Sequence, residues 1–165
     1  MPLHVRSGAL AAIALATAAS SQPITRDADP LAFFSGRTVG SGTLKVVLHH
    51  GQPTSTVSNG TILGNQLVLR QTVKIGSEPA RAREWRLARV GADGVAGSMT
   101  EASGPISGKL VNRELVLDYG MQGGMQVHQL IRFAADGMRA ENHMAIRRFG
   151  MTVGHLDEEI RRAQP

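Results

Sequence analysis

The sequence contains no cysteine, and this absence excludes several classes of protein at once. Disulfide-stapled scaffolds, cysteine-ligated zinc sites and thiol enzymes all require that residue. The chain therefore tolerates an oxidising compartment without using it. A lipid-modified cysteine is excluded for the same reason, so we expect the mature protein to be soluble.

Aromatic residues are also scarce, at 4% of the chain, and the formal net charge is only +5. A nucleic-acid platform interleaves basic and aromatic side chains on one surface. Here the basic residues are scattered along the chain, so we predict a weakly basic, solvated surface and no nucleic-acid partner. No apolar run is long enough to cross a bilayer, so we also predict no membrane span.

The first eighteen residues have the pattern of a secretory signal peptide. His4 and Arg6 precede an apolar run over 8–16, and Ala16-Thr17-Ala18 fits a small-x-small cleavage site. We therefore predict a signal peptide over 1–18, a flexible extension over 19–29 and a single domain over 30–165. An uncleaved amphipathic start is the alternative interpretation.

Familiar catalytic motifs are absent as well. There is no Gly-x-Ser-x-Gly elbow and no pair of inward carboxylates for glycoside hydrolysis. The glycine-rich run 36–42 precedes a strand pattern and lacks the Gly-Lys-Ser/Thr of a phosphate loop. Its glycines are better explained by strand kinks and close packing where a sheet bends. The sequence predicts no cofactor and no metal.

The most informative stretch is 112–150, where three runs alternate between apolar and polar residues. Period-2 alternation of this length indicates half-buried antiparallel strands. Turn chemistry at 122–124 and 134–137 joins the runs as hairpins. The inward set is Leu115, Leu117, Tyr119, Met121, Met125, Val127, Gln129, Ile131, Phe133, Met138, Ala140, Asn142, Met144 and Ile146.

Upstream, further strands are predicted over 43–50, 54–63, 67–75, 81–90, 95–101 and 106–111. Many short strands with one apolar face predict an all-β sandwich or barrel. We favour an antiparallel up-and-down β-barrel of about 8–10 strands, because closure covers the apolar face and removes exposed edges.

The two ends of the domain are predicted to be helical. Residues 30–36 fit one short helical turn capped by Asp29, and Phe33 and Phe34 would plug one end of the barrel. The tail 155–164 has acidic residues first and basic residues last, as the helix macrodipole favours. Leu156 and Ile160 are spaced for one apolar stripe, so we predict a short C-terminal helix.

Three segments, 33–37, 83–87 and 142–150, together resemble a bacterial family of small exported domains of unknown function, similar to lipocalin-like (calycin) barrels. The resemblance spans 30–162. It implies a lipocalin-like fold and a location in the bacterial periplasm or outside the cell. Many members of that family are lipoproteins, and this chain departs from them by lacking the modified cysteine. The resemblance implies no reaction and no catalytic residue.

Hairpin pairing predicts which polar side chains point inward. If Phe133 faces Met138, Gln129 lies opposite Asn142; if Met121 faces Met125, Tyr119 lies diagonal to Gln129. If Ile75 faces Arg81, Trp85 lies opposite Gln71. We therefore predict an interior site whose candidate ligand-binding residues are Gln71, Arg83, Trp85, Tyr119, Gln129, Asn142, Met99, Met125 and Met144, with Met121 and Met138 nearby.

Two interpretations of this interior remain open. The polar groups satisfy one another in a solid core, with Gln129 bonded to Asn142 and Arg83 paired with Glu101 or a backbone carbonyl. Alternatively they line a cavity, where methionines give adaptable apolar contact and polar groups orient a ligand. The sequence favours the cavity, with Arg83 binding a carboxylate or phenolate end.

The outer face offers a second cluster. The same pairing places Asp118 opposite His128, and His128 opposite His143. Two imidazoles and one carboxylate can bind a divalent metal or relay protons. A flat exposed row does not converge on a point, however, so we expect a solvated ladder of pairs instead.

Three functional hypotheses follow. The first is an exported carrier or sequestering protein, monomeric or homodimeric, for a small hydrophobic or amphipathic ligand with an acidic or phenolic end. The second is a lyase, isomerase or cyclase that uses Tyr119 as acid and Arg83 as anion stabiliser. The third is a filled barrel that acts as an envelope interaction module.

Overall fold

The structure is a computed structural model that describes residues 29–163. The predicted signal peptide and all of the predicted extension except Asp29 lie outside the described residues. A short 3-10 helix at Pro30–Phe34 comes first, and the Asp29 carboxylate caps it by accepting from the backbone N–H of Leu31 at 3.0 Å. This confirms the predicted helical turn. Within the described residues, no helix is long and apolar enough to cross a membrane.

Ten antiparallel strands follow, and each pairs with its neighbours in the sequence. They are β1 (Gly36–Val46), β2 (Gln52–Leu63), β3 (Gln66–Ile75), β4 (Arg81–Val90), β5 (Gly94–Met99), β6 (Ile106–Val111), β7 (Glu114–Met121), β8 (Met125–Phe133), β9 (Arg139–Arg148) and β10 (Met151–Arg162). The sheet closes because β10 pairs with β1. The chain is thus an all-β, up-and-down barrel, as the alternation predicted.

The C-terminal helix prediction is wrong. The tail forms β10, whose residues pair with β9 on one side and with β1 on the other. Leu156 and Ile160 are four residues apart, a spacing that suits a helical stripe but equally suits a strand with period 2. The strand prevails because β1 and β9 would otherwise both present unpaired edges.

Smaller corrections concern strand bounds and register. The first strand begins at Gly36, seven residues before its predicted start, and takes in the glycine-rich run. Met138 is predicted to face inward, but it lies in the turn before β9 and is 40% exposed. Phe133 pairs with Ala140, not with Met138, because this turn is longer than predicted.

An aromatic plug closes one end of the barrel. Phe33, Phe34 and Phe133 are buried, and their ring centroids lie 5.1–5.8 Å apart in edge-on or tilted arrangements. The Arg162 guanidinium ties the end of β10 to the same segment by donating to the carbonyl of Ser35 at 3.0 Å. The predicted role of Phe33 and Phe34 is therefore confirmed.

The packing of the plug against β2 can be tested at Gly60. A Cβ added at Gly60 would overlap the backbone carbonyl oxygen of Phe34, which no side-chain rotation can relieve. We expect Gly60→Ala to lower the free energy of unfolding by about 1–3 kcal/mol, as overpacking does elsewhere. Denaturant unfolding followed by circular dichroism measures this.

Gly104→Ala is the matched control, because nothing lies within 4 Å of a Cβ added there. The control should unfold at or slightly above the wild-type midpoint. Equal midpoints for the two variants would contradict the packing described for the plug.

Candidate functional site

The barrel is hollow and contains a cavity of about 480 Å³. Its lining extends from Phe34 of the plug to Gln122 and Val153, which lie beside the turns at the opposite end. The walls are mostly aliphatic side chains from the inward positions of the strands, with a small number of polar groups among them. A volume of this size lies within the range of small-molecule sites in proteins.

Most of the side chains predicted for an interior site surround this cavity. Tyr119 and Met99 are buried but do not belong to its lining. The predicted residues that do line it are Gln71, Arg83, Trp85, Met125, Gln129, Asn142 and Met144. The structure therefore brings the predicted residues together, whereas their role in binding a ligand stays a prediction.

One chain of buried hydrogen bonds crosses four neighbouring strands, β7 to β10. The Tyr119 hydroxyl donates to Gln129 Oε1 at 3.0 Å, and Gln129 Nε2 donates to Asn142 Oδ1 at 2.9 Å. Asn142 Nδ2 then donates to Glu158 Oε2 at 2.9 Å. Because a carboxylate only accepts, Glu158 fixes the orientation of both amides, and every donor in the chain points toward it.

A second polar chain lies on β2, β3 and β4. Trp85 Nε1 donates to Gln71 Oε1 at 2.6 Å, and Gln71 Nε2 donates to Ser58 Oγ at 3.1 Å. The indole of Trp85 meets the ring of Tyr119 edge-on, with centroids 5.5 Å apart and an interplanar angle of 89°. This contact joins the two chains into a polar belt, defined by Ser58, Gln71, Trp85, Tyr119, Gln129, Asn142 and Glu158.

The predicted contacts of the belt form, although two registers differ by two residues. Tyr119 pairs with Val127 as predicted, but Gln129 pairs with Met144 and Gln71 pairs with Arg83. A shift of two residues keeps every side chain on its predicted face, since only an odd shift exchanges the faces. Gln129 and Asn142 therefore meet as diagonal neighbours.

Arg83 forms an ion pair inside the barrel. Its Nε lies 2.5 Å from Glu101 Oε2, although neither atom has a hydrogen bond of good geometry. Both side chains are largely shielded from solvent. This pairing is one of the two that the solid-core interpretation predicted, and the Gln129–Asn142 bond is the other. The interior thus contains both the polar pairs that the solid-core interpretation predicted and a cavity.

Glu158 is the interior residue that sequence reasoning missed. It was assigned to the first turn of a C-terminal helix, whereas the structure buries it on β10 at the cavity wall. The signal was present in the alternation of Leu156, Glu158 and Ile160. Because β1 needs a second pairing partner, the tail would have been predicted as a strand instead of a helix if that need had been considered.

The outer-face cluster divides into two separate pairs. His128 Nδ1 lies 2.7 Å from Asp118 Oδ1, and their predicted pairing is confirmed. His143 is not opposite His128, because the β8–β9 register places it beside Leu130; it contacts Asp157 on β10 at 2.8 Å. Among residues 29–163, no group of three or more acidic or histidine side chains is arranged to hold a metal ion.

Tyr119 has the most perturbed titration in the interior. Burial raises the pKa of its phenol well above the ordinary value, with Arg83 opposing the shift and Glu101 adding to it. A phenol with a raised pKa is a weak acid, and its proton already binds Gln129. Tyr119 is thus poorly suited to proton transfer.

Comparison with known proteins supports the fold. No protein-family model matches the sequence, and no curated protein is similar to it in sequence. The resemblance to a family of exported bacterial domains therefore stays a prediction. Among solved structures, the chain is similar to the S-type phycobiliprotein lyase of Guillardia theta, with a TM-score of 0.66 and 6% identity over 82% of this chain and 91% of that one. At this identity the likeness shows a lipocalin-like fold alone.

The raised pKa predicts how the single tyrosine titrates. Since its folded pKa exceeds the unfolded value, burial of Tyr119 stabilises the fold fully below pH ~10, and this contribution is lost as the pH rises further. We expect phenolate absorbance to appear only together with alkaline unfolding, when absorbance and circular dichroism are followed on one sample. A phenolate signal near pH ~10 with an unchanged dichroism spectrum would contradict the burial of Tyr119.

Proposed function

We propose that this protein binds one small, largely apolar molecule inside its barrel, for carriage or sequestration. The observation that supports this most strongly is the cavity of about 480 Å³ with aliphatic walls and a polar belt. Aliphatic walls favour an apolar occupant over water, because burying apolar surface against them is favourable. The cavity also counts against the filled-barrel hypothesis, in which the interior is solid.

A polar end on the ligand is the second part of the proposal. Glu101 faces the Nε of Arg83, which leaves the terminal nitrogens of the guanidinium as further donors beside the cavity. A carboxylate or phenolate oxygen is the natural partner for such a fork. The proposed ligand therefore has an apolar body and an acidic or phenolic end near β4.

Catalysis is a second candidate, and one observation favours it: the similar barrel from Guillardia theta is named a lyase. The residues proposed for that role are Tyr119 as acid and Arg83 as anion stabiliser. The hydroxyl of Tyr119 is directed at Gln129, however, and burial raises the pKa of its phenol, which makes it a weak acid. Binding is therefore the function that the geometry supports better.

Export is proposed on the sequence of residues 1–18 alone. A signal peptide cleaved near Ala18 would deliver a soluble barrel to the bacterial periplasm or the medium. N-terminal sequencing of the protein recovered from the periplasm and from the medium tests this proposal, which an intact Met1 would contradict.

Titration with decanol tests binding directly. Trp85 is the single tryptophan of the chain and lines the cavity, so its emission reports on the interior. We expect a saturable change with one decanol bound per chain. Emission that does not respond, with calorimetry that detects no binding, would contradict the proposed function.

The polar end is tested with decanoate and the variant Arg83→Met. Because a hydrogen bond to a charged group contributes about 1.5–3 kcal/mol, the variant should bind decanoate at least about tenfold more weakly, while decanol binding stays the same. Arg70→Met is the matched control, since Arg70 forms a comparable ion pair with Glu84 on the outer surface.

The double variant Arg83→Met/Glu101→Gln removes the unpaired carboxylate that the single change leaves behind. It should show the same selective loss of decanoate. If both variants bind decanoate as tightly as the wild type, the proposal that the ligand has an acidic end near Arg83 is wrong, even though the cavity binds apolar molecules.

A further inference from the structure

The charged side chains that line the cavity are not all paired with one another. Four charged residues contribute to its walls: Arg81, Arg83, Glu101 and Glu158. Arg81 pairs with Glu78 at 3.0 Å, and Arg83 pairs with Glu101. Within residues 29–163, no basic side chain forms an ion pair with Glu158. The cavity wall thus carries one uncompensated carboxylate.

Glu158 is also short of hydrogen bonds. Its side chain is among the buried polar groups, at 8% exposure, and Oε2 accepts from Asn142. Its Oε1 is buried and has no hydrogen-bond partner. Burying a carboxylate in this way is costly unless a cation or several donors face it. The described residues supply one donor, to Oε2, and none to Oε1.

Two glycines on β1 let Glu158 approach the backbone of that strand closely. Gly42 on β1 pairs with Glu158 on β10 and, on its other side, with Thr54 on β2. The middle position of this inward row therefore carries no side chain. An added Cβ at Gly40, the next inward position, would overlap Glu158 Oε1. Glycines at both positions let the carboxylate lie against the backbone of β1.

Thr54 provides a second unsatisfied polar atom in the same row. It is 7% exposed and lines the cavity, and its Oγ1 is buried with no hydrogen-bond partner. Two buried oxygens without hydrogen-bond partners thus lie on β10 and β2, on either side of β1. A group that carries a positive charge and donates several hydrogen bonds would satisfy Glu158, and Thr54 offers a further acceptor on the same wall.

We propose that Glu158, with Thr54, forms a subsite for a protonated amine on the bound molecule. This inference deepens the proposed function and rests on it. A primary ammonium offers three donors and one positive charge, which matches one carboxylate oxygen and one hydroxyl. The subsite lies on β10 and β2, separate from Arg83 on β4. The proposed molecule therefore has an amine beside β10 in addition to its apolar body and the acidic or phenolic end near β4.

Decylamine and decanol are matched probes for this subsite, since they differ only in the polar group. We expect the wild-type protein to bind decylamine at least about tenfold more tightly than decanol, because a charged hydrogen bond is added. Glu158→Gln should abolish that preference, so that the variant binds decylamine no more tightly than it binds decanol. Calorimetry and Trp85 emission both measure the two affinities.

Glu159→Gln is the matched control, because it removes the same charge from the adjacent, outward-facing and exposed position. This variant should keep the wild-type preference for decylamine. Thr54→Val preserves the shape of the side chain and removes the hydroxyl, so it should reduce the preference for decylamine over decanol by about threefold to tenfold. If Glu158→Gln does not fold, the ratio of decylamine to decanol affinity in the wild type and in Thr54→Val decides whether the amine subsite exists.

The possible failures are distinguishable. If neither probe binds the wild type, the proposed binding function itself is wrong. If decanol binds but decylamine binds no more tightly, the cavity is real and the amine subsite is wrong. A preference for decylamine that survives Glu158→Gln, or that Glu159→Gln abolishes, would also overturn the subsite.

Discussion

The pairing of β10 with β1 is the contact on which the rest of the structure depends. It turns an open meander into a closed barrel, so that the aliphatic face of every strand meets the others across one interior. It also carries Glu158 from what would be a solvated tail to the cavity wall. Without this pairing there would be two exposed edges and no enclosed volume.

Closure creates a second constraint, which is the cost of the polar groups it buries. The belt meets that cost by hydrogen bonds between neighbouring strands, from Ser58 on β2 to Trp85 on β4 and from Tyr119 on β7 to Glu158 on β10. Buried networks of this kind fix rotamers and strand positions when they are satisfied. The belt is satisfied along most of its length and unsatisfied at Glu158, next to the cavity. We interpret that end as the functional one.

Much of this architecture could be predicted from the sequence, and the reasons are local. β4, β6 and β8 have the predicted bounds because their alternation is sharp and turn residues follow directly. Tyr119 and Gln129 could be placed together because the turn at Gln122–Gly124 is short and sets the register. The β8–β9 turn is longer than predicted, so Gln129 and Asn142 were placed on the correct face in a register that differs by two residues. Because side chains alternate with period 2, the face on which a residue lies can be predicted even when the strand register is predicted wrongly.

What could not be predicted depends on contacts distant in sequence. The tail has charges and apolar spacing that suit a helix, and only the need of β1 for a partner selects a strand. The unpaired state of Glu158 depends equally on remote choices, since Arg83 pairs with Glu101 and β1 has glycines at 40 and 42. Local patterns contain none of this information.

Native mass spectrometry of the protein purified from its own source shows whether a small molecule occupies the barrel. We expect a chain that carries one small molecule, which is released when the barrel is denatured and which contains a basic nitrogen. A bare chain under native conditions, together with no binding of decanol or decylamine, would contradict the claim that the barrel is a small-molecule site.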